Sequence, residues 1–144
     1  MKNVQIRVVS TTSDGVNKPQ TSENKYIGTM AEKNGKYYCF YDEEKGSGLE
    51  GTKTTIKWDQ ERVVLIRSGS LNHRQEFCEG MKDYSTYQTP YMEIPLVTDT
   101  KYLNTYFLNG AWCLEMEYSL QHSGETYGDM KIFIEIREEI ISGH

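Results

Sequence analysis

Four basic or titratable side chains fall close together in mid-chain: Lys57, Arg67, His73 and Arg74. Within the run from Arg62 to Ser68, Arg67 has the parity of Val63 and Leu65, so if those two point inward it does as well. A guanidinium inside an apolar interior must meet a carboxylate, carbonyls or an anionic ligand, because an isolated buried charge is very costly. Its planar fork suits a carboxylate or a phosphate. Two readings follow. Arg67 is an anion anchor at the mouth of the fold, or it sits near a strand end and pairs with Glu43 or Glu76. His73 would make a His–carboxylate dyad only across strands, for example with Glu43, since Glu76 on its own run has the opposite parity. A surface position is the simpler expectation for His73.

The tyrosines Tyr37, Tyr41, Tyr87, Tyr91, Tyr102, Tyr106 and Tyr118 would give a cavity apolar walls with polar tips, a composition that suits small-ligand sites. Tyr41, Trp58, Tyr87 and Tyr118 are the wall candidates. The alternative is an interior filled by these same aromatic side chains. Geometry decides between them.

Other chemistry finds little support. There is no GxSxG, HExxH, P-loop or GxGxxG motif, so no cofactor is expected and an enzymatic role ranks third. Catalysis would need a polar cleft holding His73 or Glu43 with a partner within hydrogen-bond reach. The histidines His73, His122 and His144 have no spacing that converges with carboxylates on a metal. Glu115 and Glu117 read as the solvated side of a strand. Tyr and Trp interleave with Lys and Arg between Lys53 and Arg74, a pattern that can stack bases. Against nucleic acid stands the net charge of −5, from 16 basic and 21 acidic residues.

Cys39, Cys78 and Cys113 are odd in number and widely spaced, without a CxxC pair. They read as small buried hydrophobes in a reducing cytoplasm rather than as a disulfide framework or zinc site. No apolar run has the length of a secretory signal or a membrane helix. At 144 residues with 12% aromatics, one folded domain spanning 1–144 is expected.

The elements that must position these residues are nearly all strands. Val4, Ile6 and Val8 alternate with polar neighbours. Thr11 to Asn24 is polar, contains Asp14-Gly15 and Pro19, and reads as a loop. Asn34-Gly35 predicts a tight hairpin that opposes Glu32 to Tyr37 and Lys33 to Lys36, placing Tyr37, Cys39 and Tyr41 on one face. Asp42 to Gly51 reads as a mobile connection. Thr54, Ile56 and Trp58 share a face. Val63 to Ile66 is apolar on both faces. Leu71, His73, Gln75 and Phe77 alternate, and a short strand fits Tyr84 to Thr89. Tyr91 to Leu108 carries both helical spacing and β-branched residues. The Asn109-Gly110 turn, which would pair Phe107 with Trp112, favours strand. Trp112, Leu114, Met116, Tyr118 and Leu120 line one face of the next strand, and Ile132, Ile134 and Ile136 line the last. The tail after Glu139 should fray.

Nine or ten strands with short connections predict a mainly antiparallel sheet. That many strands leave exposed edges unless the sheet closes, so an all-β, closed up-and-down barrel is expected, with a two-sheet sandwich as the alternative.

From Gly35 to Thr100 the order of residues resembles the YwiB-like family, small uncharacterised proteins of mostly Gram-positive bacteria. The resemblance rests on Tyr41 with Glu43, TKTTIKW from Thr52 to Trp58, and VLIRSG from Val64 to Gly69. It continues with Phe77 and Gly80, YQTPY from Tyr87 to Tyr91, and VTDT from Val97 to Thr100. Met92 stands where some relatives have a glycine. The resemblance implies a calycin-like, lipocalin-type barrel and carries no activity with it.

Taken together, the expected function is a cytoplasmic, non-enzymatic barrel that binds a small anionic or amphipathic molecule. Arg67 is its anchor, and Tyr41, Trp58, Tyr87, Tyr118, Lys57, Arg74, His73 and Glu43 lie around it. The second expectation is a filled barrel acting as an interaction module, or homodimerising through tyrosines such as Tyr38 and Tyr106. Neither reading involves a membrane.

Overall fold

The computed structural model describes residues 1–43 and 49–139. These form ten strands: β1 (Lys2–Ser13), β2 (Gln20–Lys33), β3 (Lys36–Asp42), β4 (Thr52–Trp58), β5 (Val63–Gly69), β6 (His73–Phe77), β7 (Lys82–Gln88), β8 (Glu93–Leu108), β9 (Ala111–His122) and β10 (Glu125–Glu138). All belong to one antiparallel sheet in the order β6-β5-β4-β3-β2-β1-β10-β9-β8-β7. The sandwich alternative therefore falls, and the single sheet curls into a nearly closed barrel.

Three of the hairpins turn through residue pairs with positive φ at both central positions: Asn34-Gly35 (54° and 76°), Asn109-Gly110 (52° and 80°) and Ser123-Gly124 (52° and 79°). Such turns match the twist of the strands they join. The Asn34-Gly35 hairpin sets the expected register, Glu32 opposite Tyr37 and Lys33 opposite Lys36. The Asn109-Gly110 hairpin brings Phe107 opposite Trp112, with ring centroids 5.5 Å apart. Tyr91–Leu108 is accordingly strand from Glu93 onward.

One expectation needs correction. Thr11–Asn24 is not all loop: β1 runs to Ser13 and β2 starts at Gln20, paired from Thr12 opposite Gln20. Here the hairpin rises beyond the apolar core, so its residues need no hydrophobic alternation and the period-two signal disappears. Of the predicted connection Asp42–Gly51, Asp42 ends β3 and residues 44–48 lie outside the described residues, as does the tail after Glu139.

Between β6 and β7 the ladder is reduced to one bridge, Asn72 opposite Gln88, with N–H···O distances of 2.8 and 2.9 Å. Beyond it the two edges are linked by side chains. Asp83 Oδ2 accepts from the Glu76 backbone N–H at 3.0 Å, and His73 Nε2 lies 2.8 Å from Ser85 Oγ. Gln75 Nε2 donates to Thr98 Oγ1 on β8 at 2.8 Å. The Asp83 contact satisfies a backbone N–H on the β6 edge that would otherwise invite a further strand.

The register stacks the inward residues of β6, β5, β4 and β3 in three rows. Phe77, Val63, Trp58 and Tyr37 form the lowest; Gln75, Leu65, Ile56 and Cys39 the middle; His73, Arg67, Thr54 and Tyr41 the third. The lowest row is an aromatic plug. Tyr37 stacks on Trp58 at 5.5 Å and leans on Trp112 at 4.4 Å. From the opposite wall Met116, Leu114, Ile134, Ile136, Ile6 and Val4 fill the barrel to the middle row, all essentially inaccessible. Burial of this continuous apolar surface is the main favourable term in folding.

Candidate functional site

The change of chemistry at the third row defines the site. One strand period above a row that is apolar apart from Gln75, the inward positions carry an imidazole, a guanidinium, a hydroxyl and a phenol. Tyr26 from β2 stacks on Tyr41 at 4.3 Å between centroids. Tyr118 from β9 closes the far side, edge-on to Phe77 at 4.8 Å. Glu43, just past the end of β3, is 7% exposed and takes two hydrogen bonds. Thr54 Oγ1 donates to Oε2 at 2.7 Å and the Tyr26 hydroxyl to Oε1 at 3.1 Å. The backbone N–H of Glu43 donates to the Thr52 carbonyl at 2.9 Å, which fixes the chain as it leaves β3.

Arg67 has the inward parity of Val63 and Leu65 and is partly exposed at this end of the barrel. Its Nε is buried and without a hydrogen-bond partner. Among the described residues no carboxylate lies within 4.0 Å of the guanidinium. The pairing with Glu43 or Glu76 is therefore not formed. Glu43 is turned to Thr54 and Tyr26, while Glu76 lies on the outer face with Arg62 at 3.4 Å and Arg74 at 3.8 Å.

The neighbours of Arg67 are held neutral. Burial pushes the Tyr41 phenol up, the nearby Glu43 adding to this and Arg67 opposing it. Burial pushes the Tyr118 phenol up to about 12, again against Arg67. The His73 imidazole is pulled below its ordinary range, first by burial and then by Arg67, with Asp83 acting in the other direction. Arg67 is thus bracketed by Tyr41, Tyr118 and His73, none of which supplies a compensating negative charge. Two further orphaned oxygens, Thr52 Oγ1 and Thr100 Oγ1, are buried in strand positions of inward parity.

Several expected site residues are elsewhere. Trp58 belongs to the plug at the opposite end of the barrel, two rows below Arg67, because its parity is inward but its position is the strand terminus. Lys57 and Arg74 have outward parity. Lys57 Nζ lies over the Tyr38 ring at 5.6 Å, and the Arg74 side chain is 59% exposed. The expectation of a surface His73 is also overturned: it is buried beneath the β6–β7 seam, with Tyr87 edge-on at 5.5 Å. The tyrosine set divides. Tyr41, Tyr87 and Tyr118 face the site, Tyr37 joins the plug, and Tyr91 is 92% exposed. Tyr102 and Tyr106 lie on the outer face, where both hydroxyls donate to Glu115. Glu115 is therefore a phenol acceptor rather than merely solvated, while Glu117 pairs with Lys131 at 3.4 Å.

Tyr26, Thr54 and Ser85 were not singled out from sequence. Tyr26 has the parity of Gly28 and Met30 on β2, but its polar neighbours hide the alternation. The His73–Ser85 contact has the form of a nucleophile–base pair. Among the described residues no hydrogen bond orients the other ring nitrogen, so the contact acts here as a strut across the seam. Cys39 and Cys113 are buried free thiols, and Cys78 is half-buried just beyond β6. Among the described residues no group of three His, Cys, Asp or Glu side chains is placed to hold a metal ion.

Comparison with known proteins agrees with this architecture. The uncharacterised β-barrel protein YwiB of Bacillus subtilis (strain 168) is 30% identical over 98 residues, covering 68% of this chain and 67% of the relative. The crystal structure of the ywiB protein from Bacillus subtilis superposes with a TM-score of 0.84 at 22% identity, covering 96% of this chain and 93% of that one. The model of the domain of unknown function DUF1934 matches residues 6–134, and the chain belongs to that family.

Proposed function

We propose that the protein binds a small molecule carrying an anionic group, which Arg67 receives at the polar end of the barrel. One observation carries this reading: Arg67 has inward parity at a partly exposed position, its Nε is buried without a hydrogen-bond partner, and among the described residues no carboxylate lies within 4.0 Å of its guanidinium. A buried N–H left without an acceptor is costly, so a ligand oxygen that meets it is favoured. A carboxylate or phosphate oxygen would meet the Nε–H, and the neutral phenols of Tyr41 and Tyr118 would add donors.

The rows below limit the ligand's size. A lipocalin-type cup holds a long apolar ligand along its axis; in this chain that space is occupied by Ile56, Phe77, Met116 and their neighbours. The proposed site is therefore shallow, and only the anionic head and a short body of the ligand would enter. Binding rather than catalysis is favoured because Glu43 and His73 are both engaged by hydroxyl groups. Three free thiols suit a reducing cytoplasm. No helix among the described residues is long and apolar enough to cross a membrane.

Native mass spectrometry of freshly purified protein tests the reading. Wild type should carry a small-molecule adduct that acid extraction releases, and Arg67→Met should lack it. An adduct retained in full by Arg67→Met would overturn the assignment.

A further inference from the structure

The site holds a second charge that, like Arg67, has no ion-pair partner among the described residues, although its oxygens accept from Thr54 and Tyr26. Glu43 is 7% exposed, and among the described residues no Lys, Arg or His nitrogen lies within 4.0 Å of its carboxylate. A buried anion and a partly exposed cation with a buried Nε thus lie at one end of the barrel, and among the described residues neither has an ion-pair partner, the other included. Opposite charges partly withdrawn from water are expected to meet, since their contact offsets the desolvation each has suffered.

The row geometry explains why they do not. Thr54 stands between them. It pairs directly with Arg67 on β5 and with Tyr41 on β3, and its hydroxyl draws the carboxylate to its own side at 2.7 Å. The Tyr26 hydroxyl holds the other oxygen at 3.1 Å. A carboxylate has about four acceptor directions, and these two bonds leave capacity for a further donor. Arg67 has its unmet Nε–H. The phenol of Tyr41 lies close enough to both charges to feel each of them.

We infer that the ligand is a small zwitterion of the amino-acid class, its carboxylate received by Arg67 and its ammonium by Glu43. This inference rests on the anion-binding reading above and adds the second charge to it. A ligand with anionic and cationic groups on one short backbone would compensate the buried carboxylate and meet the buried Nε–H of Arg67 at once. A simple carboxylate or phosphate would compensate Arg67 and leave Glu43 with a second anion beside it, which like-charge repulsion disfavours.

The test is isothermal titration calorimetry on the full chain with two matched sets of probes. The first is L-phenylalanine, 3-phenylpropanoate and 2-phenylethylamine; the second is L-leucine, 4-methylpentanoate and 3-methylbutylamine. In at least one set the amino acid should bind about tenfold or more tightly than its acid and its amine. Glu43→Gln should erase that advantage while leaving the affinity for the acid within about threefold. Glu43→Asp, which retracts the charge by one methylene, should reduce the advantage and serves if the glutamine variant does not fold. An acid that binds as well as its amino acid, or an advantage unmoved by either variant, overturns the zwitterion and leaves the anion site standing. Failure of both acids and both amino acids to bind overturns the two readings together, as does preferential binding of an amine.

Discussion

The hydroxyl of Thr54 donates to Glu43 at 2.7 Å, although Thr54 faces Arg67 directly across β4 and β5. One threonine thereby holds the buried carboxylate away from Arg67 and leaves the guanidinium Nε available. Thr54→Val preserves shape and removes the donor, leaving the buried carboxylate with the Tyr26 hydroxyl. The folded state should lose about 1–3 kcal/mol, the cost of an unmet buried acceptor. Urea denaturation with an unchanged m-value checks this, and a wild-type midpoint would show that the bond carries no weight.

Replacing Arg67 should have the opposite sign. Breaking a formed interior ion pair costs about 3–5 kcal/mol, whereas removing a charge that has no partner relieves its desolvation. Arg67→Met should therefore be as stable as wild type or more stable by about 1 kcal/mol. A loss of about 3 kcal/mol or more in the same urea experiment would mean that Arg67 is a structural pairing group.

His73 gives the barrel a pH dependence whose direction is fixed. Its folded-state pKa lies below the ordinary imidazole value of 6.5, because burial and Arg67 disfavour the charged ring. The unfolded chain therefore takes up the proton first as pH falls. The stabilisation is fully present above about 6.5 and declines below it, toward the lower folded value, by no more than about 1.4 kcal/mol per pH unit. Wild type should lose stability relative to His73→Gln between roughly pH 6.5 and pH 5. Parallel stability curves would contradict a buried neutral histidine.

Much of the barrel was legible in the residues, for reasons that can be named. Asn34-Gly35 and Asn109-Gly110 set register through φ, and register with period two then fixes which side chains turn inward. Period two gives Arg67 the parity of Val63 and Leu65, which leaves an anchor or a strand-end ion pair open, and the registers of β4, β5 and β6 place that parity inward. The same logic, applied to one strand at a time, could not say at which height along the barrel a residue sits. Trp58 and Arg67 share the interior but stand two rows apart, and that separation emerges only when the β3, β4 and β5 registers are laid side by side. For His73 the residue type suggests solvent while its alternation with Leu71 and Phe77 indicates the inward face, and the face prevails. The height of the β1–β2 hairpin was hidden because strands above a core need no apolar pattern.

The separation of plug from site is itself testable. Trp58 is buried against Tyr37 and Trp112, so Trp58→Ala should cost about 3–5 kcal/mol. Because Trp58 lies away from the polar row, anion affinity measured well below the variant's melting temperature should change by less than about twofold. A large loss of affinity would place the ligand along the barrel axis rather than at its polar end.

The most direct measurement of the central claim is the side-chain 15Nε–1Hε NMR signal of Arg67 during titration with 3-phenylpropanoate. The other arginines, Arg7, Arg62, Arg74 and Arg137, have outward parity or lie in surface turns and serve as internal controls. The account predicts a saturable shift of the Arg67 signal, assigned by its absence in Arg67→Met, with the four control signals nearly still. An Arg67 signal that stays in place, or moves only in step with the controls, would contradict an interior anion site.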